Sequence, residues 1–221
     1  MGELEHMRAT RDGYDSAAAQ YLALFRNAVP EHPLDNAMIG AFADFVRGAS
    51  LPVLDVGCGP GAVTDQLRRL GLRARGLDLS PEMVALAREH FPDVEFAQGD
   101  MAAVDLPDGA LGGLLSRSSI IHTPPEEVPA VFAEFHRLLA PGGHLLLTFQ
   151  ADAGAARVPQ PFDHAVAPAY RWPVDRVTGL LREAGFHETA RLVSAPELDP
   201  VRGFHYGHLL FRKPAEAGGA G

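Results

Sequence analysis

An α/β fold, with a Rossmann-like, mostly parallel seven-stranded sheet flanked by helices, is what this sequence predicts, and three observations carry it. Apolar runs of strand character alternate with amphipathic segments between residues 53 and 150. The first run ends in an acid and a glycine cluster, Val53-Leu54-Asp55-Val56-Gly57-Cys58-Gly59-Pro60-Gly61. Two further alternating runs, near 187–194 and 204–212, follow at a spacing that permits antiparallel pairing. Strand–helix alternation implies parallel strands joined by right-handed crossovers.

Residues 14–47 read as helices. Leu34, Met38, Ala41, Phe42 and Phe45 share one helical face, with Pro33 near its start and Gly48 past its end. Strands follow at 53–56, 73–77, 94–97, 111–116 and 144–150, separated by helices at 61–70, 81–90 and 126–139. In the last helix Val128, Val131, Phe132, Phe135, Leu138 and Leu139 form an apolar stripe closed by Pro141-Gly142-Gly143. Residues 151–172, rich in proline and alanine, show no period and read as a functional loop on the acceptor side of a ligand site. A final helix over 174–184 ends on Gly185, before the closing pair of strands.

Glycines after a strand let the backbone turn sharply and approach a ligand, while Pro60 suits the first turn of the next helix. Helix N-termini and tight turns offer unpaired N–H groups to anionic ligand groups. Gly57-x-Gly59-x-x-Ala62 also satisfies the dinucleotide fingerprint, with Asp78 near the distance of a ribose acid. Asp55 separates the two readings: a carboxylate two residues before the first glycine faces a cationic amine better than a pyrophosphate. The string Asp55-Val56-Gly57-Cys58-Gly59-Pro60-Gly61 resembles the cofactor loop of the class I S-adenosylmethionine (SAM)-dependent methyltransferases, of the small-molecule type.

That resemblance covers roughly residues 37–213 and implies S-adenosyl-L-methionine as cofactor. It implies a last strand inserted antiparallel beside the sixth, and a helical N-terminal lid. Gly57, Cys58, Gly59 and Gly61 would cradle the amino-acid part, with Asp55 balancing its ammonium group. Asp78 would accept both ribose hydroxyls. The string Ala97-Gln98-Gly99-Asp100-Met101 resembles the family's adenine motif, with Asp100 and Met101 on the base and Leu79, Met83 and Ala102 flanking it. Ser116 and Arg117 end the fourth strand, where cofactor and acceptor meet. Tyr14 and Tyr21 lie in a segment that resembles the family's leading helix, where Tyr14 touches the cofactor or simply packs.

On the acceptor side, His122 in Ser118-Ser119-Ile120-Ile121-His122-Thr123 either serves as general base or holds its loop. Arg117, His164, Tyr170 and Tyr206 are candidate acceptor contacts, with Trp172 and His205 behind them. No metal is expected: His122, His136, His144 and His164 lack paired ligand spacing, and His205 and His208 fall on opposite faces of a strand.

One domain over residues 8–213 is expected, with 8–48 as helical lid and 151–172 as acceptor-side loop. Residues 1–7 read as a cloning-site remnant or disordered, and 214–221 as a disordered tail. A formal charge of −9 without a basic run argues against nucleic-acid or anionic-membrane partners. No segment is long and apolar enough to cross a bilayer. Cys58 is the single cysteine, which suits a cytoplasmic protein, and eighteen arginines against one lysine hint at a bacterial source. The function expected is transfer of a methyl group from SAM to an O or N atom of a small molecule, in specialised metabolism, by a monomer or homodimer. A nicotinamide-dependent oxidoreductase, or a SAM-binding relative without methyl transfer (a pericyclic catalyst or an interaction protein), stands as the alternative.

Overall fold

A computed structural model describes residues 4–28, 33–154, 156–199 and 201–215, with side chains in the first stretch described as far as Ala18. Helices α1 (Glu5–Ala28) and α2 (Pro33–Val46) precede β1 (Val53–Val56). There follow α3 (Ala62–Arg69), β2 (Ala74–Asp78), α4 (Pro81–His90), β3 (Glu95–Gln98), β4 (Leu111–Arg117), α5 (Val128–Leu138) and β5 (Leu139–Asp152). The chain continues through β6 (Gln160–Phe162), β7 (Ala169–Pro173), α6 (Val174–Glu183), β8 (His187–Val193) and β9 (His205–Arg212).

The strands β3-β2-β1-β4-β5 pair in parallel in that order. Strand β9 lies antiparallel between β5 and β8, the insertion expected of the last strand. Side chains alternate across the sheet and sort into two apolar layers. Leu114, Leu145, Leu147, Phe149, Leu209 and Phe211 pack beneath α5 and α6, while Leu115, Leu146 and Leu210 pack beneath α2 and α3. Covering both faces explains why these strands read as continuous apolar runs. The stripe on α5 is fully buried at Phe132, Phe135 and Leu138, each contributing about 1.5–3 kcal/mol of transfer free energy.

Two expectations are corrected. Residues 151–172 are not an irregular loop: β5 extends to Asp152, and β6 and β7 form an antiparallel hairpin whose second strand pairs in parallel with the end of β5. With it the sheet counts nine strands among the described residues, around the expected seven. Pro161 hid this hairpin, because proline suits only an edge strand such as β6. At the amino end, Glu5, His6 and Met7 form the first turn of α1 instead of an unstructured remnant. Residues 1–3 and most of the expected disordered tail, 216–221, lie outside the described residues. Among the described residues no helix is long and apolar enough to cross a membrane.

Strand order reverses at β1 and β4, so a crevice opens beyond their carboxyl ends, the switch point where ligands bind in open α/β sheets.

Candidate functional site at the carboxyl ends of the strands

Beyond Val56 the chain leaves the sheet through Gly57, Gly59 and Gly61, with φ of 69°, 51° and 87°, left-handed values that glycine adopts without strain. The backbone N–H groups of Gly57 and Cys58 both donate to the Leu77 carbonyl, at 2.7 and 3.1 Å, which pins the loop to β2. The three glycines do different work. A Cβ on Gly57 would lie 2.4 Å from Ser119 Cβ, and one on Gly61 would lie 2.6 Å from Phe96 Cζ. A Cβ on Gly59 would meet nothing within 4 Å. Gly59 lines a cavity of about 470 Å³, within the usual range for a ligand site.

Two acids set the field of this cavity. Asp55 is buried in β1 and accepts a hydrogen bond from Thr64 Oγ1 at 2.7 Å. Burial raises its pKa to about 7, against the pull of Thr64 and the Arg117 charge and with a further push from Asp78. Asp78 accepts from the Gly59 N–H at 2.7 Å and the Ser80 N–H at 2.9 Å, one bond to each oxygen, so it clamps the glycine loop to the end of β2. Burial raises its pKa as well, and the Asp15 charge adds to it. Each oxygen retains a further lone pair for a donor.

The wall after β4 carries His122 on a short 3-10 turn. Its Nδ1 stands 2.9 Å from the Pro168 carbonyl, and its Nε2 stands 3.0 Å from the Tyr14 hydroxyl. A carbonyl only accepts, so Nδ1 bears the proton, Nε2 is the lone-pair nitrogen, and Tyr14 donates to it. Burial lowers the His122 pKa and keeps the ring neutral. Arg117 lines the same wall and donates from Nη2 to Asp35 Oδ2 of α2 at 2.9 Å.

The structure brings together at the cavity Tyr14, Asp55, Gly57, Cys58, Gly59, Asp78, Leu79, Asp100, Met101, Ala102, Arg117 and His122. It holds the other sequence candidates away from that wall. Gly61 packs on Phe96. Met83 is core, its N–H donating to the Ser80 Oγ cap of α4. Ser116 is buried and shares a 2.6 Å hydrogen bond with Ser119. His164 stands edge-on to His122 at 5.0 Å between ring centroids, and burial is the main cause that lowers its pKa to about 4. Tyr170 packs against the larger apolar layer, and Tyr206 accepts from Gln150 Nε2 at 2.9 Å. The side chain of Tyr21 lies outside the described residues. Asp100 also caps its own turn, accepting from the Ala102 N–H at 2.8 Å.

Sequence reasoning expected a helical lid carrying Tyr14 but did not name the rest of the roof. Leu4, His6, Met7, Thr10 and Arg11 join Tyr14 in lining the cavity. From Met7 onward the spacing is that of one helical face, a signal the assignment of residues 1–7 concealed.

Residues 53–143 match a family model described as a methyltransferase domain. Phosphoethanolamine N-methyltransferase 3 of Arabidopsis thaliana is 33% identical over 145 residues, 62% of this chain and 29% of that protein. The malonyl-acyl-carrier-protein O-methyltransferase of Serratia marcescens is 36% identical over 104 residues, 46% of this chain and 40% of that protein. The matches thus span well under half of these curated relatives. Among solved structures, the Burkholderia thailandensis 1,6-didemethyltoxoflavin-N1-methyltransferase, with bound 1,6-didemethyltoxoflavin and S-adenosylhomocysteine, superposes with a TM-score of 0.72 at 23% identity, covering 97% of this chain and 93% of that one. The magnesium protoporphyrin IX methyltransferase of Synechocystis, with bound SAM, gives 0.69 at 19% identity, covering 96% and 99%. At these identities the structures establish a shared fold.

Proposed function

We propose, on the premise that residues 53–143 make this chain a member of the class I SAM-dependent methyltransferase family, that it transfers a methyl group from SAM to an O or N atom of a small molecule. The observation that carries the reading is the Gly59 turn. It faces open cavity between two acids, the buried Asp55 and the half-buried Asp78, and a ligand with an ammonium group and a hydroxylated ribose matches both. Asp55 offers a carboxylate to the ammonium group, and Arg117, whose charge reaches Asp55, offers the opposite sign to a carboxylate. Asp78 takes the ribose hydroxyls with its remaining lone pairs, and Leu79, Asp100 and Met101 border the base. The cofactor supplies an electrophilic methyl on a sulfonium.

This chain's residues then have to align the acceptor, exclude water and take up a proton. Positioning alone supplies about 7–11 kcal/mol in well-oriented reactions. For the proton, Tyr14 and His122 act as a pair. The acceptor's O–H or N–H donates to the Tyr14 oxygen, Tyr14 passes its own proton to His122 Nε2, and Nδ1–H stays on the Pro168 carbonyl. Burial makes His122 a weak base, so the relay suits acceptors that release a proton readily. An acidic chain without a basic run supports a small-molecule acceptor over a nucleic acid. So does the 1,6-didemethyltoxoflavin bound by the Burkholderia protein, whose fold covers nearly all of this one. A cytoplasmic monomer or homodimer in specialised metabolism completes the proposal.

Calorimetry with SAM and S-adenosylhomocysteine, followed by a metabolite panel with methyl-deuterated SAM read by mass spectrometry, tests it. Micromolar binding and one labelled product are expected. Binding of a nicotinamide cofactor in place of SAM would overturn it, and SAM binding with no labelled product across the panel would favour a relative that binds the cofactor without transferring methyl.

A further inference from the structure

Ser118 has φ of 51°, and among the described residues it is the non-glycine residue with a left-handed backbone. Such a conformation crowds Cβ against the backbone and is held only where surrounding contacts over-determine it. The contacts are on both sides. The Ser118 N–H donates to the Thr148 carbonyl at 2.8 Å, fixing the residue to the end of β5. Arg117 before it is in register with Thr148 and tied to Asp35. Ser119 after it packs against Gly57 and bonds to Ser116. The chain therefore leaves β4 with Ser118 forced onto the cavity wall, between Arg117 and His122. Glycine or asparagine would turn here at less strain. Its hydroxyl makes no hydrogen bond to another described residue, whereas the side chains of Arg117, Ser119 and His122 beside it each do.

We propose that Ser118 is the acceptor-positioning residue of this site, its hydroxyl bordering the point of methyl transfer and hydrogen-bonding the acceptor's heteroatom. The proposal rests on the methyltransferase reading above. It also explains why a strained serine occupies a turn that glycine could make: relief of the strain would remove the hydroxyl.

The test is independent of knowing the acceptor. In Ser118→Cys the introduced sulfur takes the hydroxyl's place bordering the point of methyl transfer, and with no acceptor bound it reaches toward the space that the acceptor's heteroatom would fill. With SAM present it forms a bond to the methyl carbon as the carbon–sulfonium bond breaks, S-adenosylhomocysteine leaves, and the thiol proton passes to solvent. Mass spectrometry is expected to find one added methyl on the peptide containing position 118. Two controls bound the result. The native Cys58 is buried with its pKa raised well above the ordinary thiol value, so the wild-type protein gains no methyl. Ser16→Cys, on the exposed side of α1, gains none either.

The second measurement needs no cofactor. Ser118→Gly is expected to raise the Tm of the ligand-free protein by about 2 °C, while Ser118→Ala, which keeps the strain, does not. With the acceptor found by the panel, both variants are expected to raise its KM about tenfold and to leave S-adenosylhomocysteine affinity within about twofold, the loss of one hydrogen bond. SAM bound by Ser118→Cys at wild-type affinity with no methyl on its peptide overturns the proposal, and so does a Tm lowered by Ser118→Gly. Failure of the wild-type protein to bind SAM overturns the reading beneath it instead.

Discussion

Tyr14 and Asp15, neighbours on α1, grip opposite walls of one cavity. Successive residues on a helix point about 100° apart. Tyr14 thus reaches His122 beyond β4, while Asp15 accepts from Ser80 Oγ at 2.5 Å and from the Glu82 N–H at 3.5 Å, at the N-terminus of α4. Helix α1 is strapped across the crevice at His122 on one side and Ser80 on the other, so ligand entry and the attitude of α1 are coupled.

Releasing one end of the strap should loosen α1 without unfolding the sheet. Asp15→Ala leaves the Ser80 cap of α4 intact, because Ser80 Oγ still accepts from the Met83 N–H at 3.1 Å. A hydrogen bond to a charged group contributes about 1.5–3 kcal/mol. Hydrogen exchange over residues 8–18 is therefore expected to speed at least tenfold in Asp15→Ala and to slow again when S-adenosylhomocysteine is added. Equal protection of this segment with and without ligand would contradict a lid.

Tyr14 and His122 are expected to act as a unit in turnover. His122→Ala should lower kcat by about 10²–10⁴-fold, Tyr14→Phe should lower it by a similar factor, and the double variant should lose little more. Because burial lowers the His122 pKa, the acid limb of kcat/KM should fall below the ordinary histidine range and vanish in His122→Ala. A stable His122→Ala protein that keeps more than about a tenth of its turnover would leave His122 as a brace for the loop it shares with Pro168.

The glycines of the cofactor loop separate packing from binding. Alanine at Gly57 or Gly61 overlaps Ser119 or Phe96 in addition to adopting a left-handed φ, so both variants should lose about 1–3 kcal/mol of stability. Alanine at Gly59 meets only open cavity and should cost about 1–2 kcal/mol of backbone strain while weakening S-adenosylhomocysteine binding at least tenfold. Denaturant melts and calorimetry on the three variants distinguish these outcomes. Unchanged affinity in Gly59→Ala would place the ligand elsewhere.

How much of this was legible in the sequence depended on where the physics is local. Strand β1, its glycine turn and Asp78 are written in residue types that have few other uses, and the fold brings the turn and the acid to one cavity. The α5 stripe was legible because every member is apolar at helical spacing. The roof was not. Met7, Thr10, Arg11 and Tyr14 share a face, but its polarity answers to a cavity, and no hydrophobic period announces it. The hairpin of β6 and β7 escaped because three residues with a proline carry no alternation, and its stability comes from the end of β5. Ser118 escaped for a related reason: contacts from β5 and Ser119 impose a conformation that serine itself disfavours.

Asp55 makes the last prediction, because its protonation links ligand binding to pH. Its carboxyl titrates near 7 in the folded, ligand-free protein, with burial as the main cause. In the unfolded chain it titrates near the ordinary aspartate value of about 3.9. Between those values the folded state holds a proton that the unfolded state has released, so ligand-free stability is expected to fall as pH rises through this window. An ammonium group beside Asp55 favours the ionised form and expels that proton. Asp78, also raised by burial, releases part of one when hydroxyls donate to its carboxylate. Binding of S-adenosylhomocysteine at pH 6 should therefore release protons, read as a dependence of calorimetric heat on buffer ionisation enthalpy. Asp55→Asn should cut the release to the remainder due to Asp78 and weaken binding through loss of the charge. His122, neutral and with a lowered pKa, adds little at this pH. Heats independent of buffer in the wild-type protein would mean that Asp55 keeps its proton in the complex, and the ammonium group would have to be held by another residue.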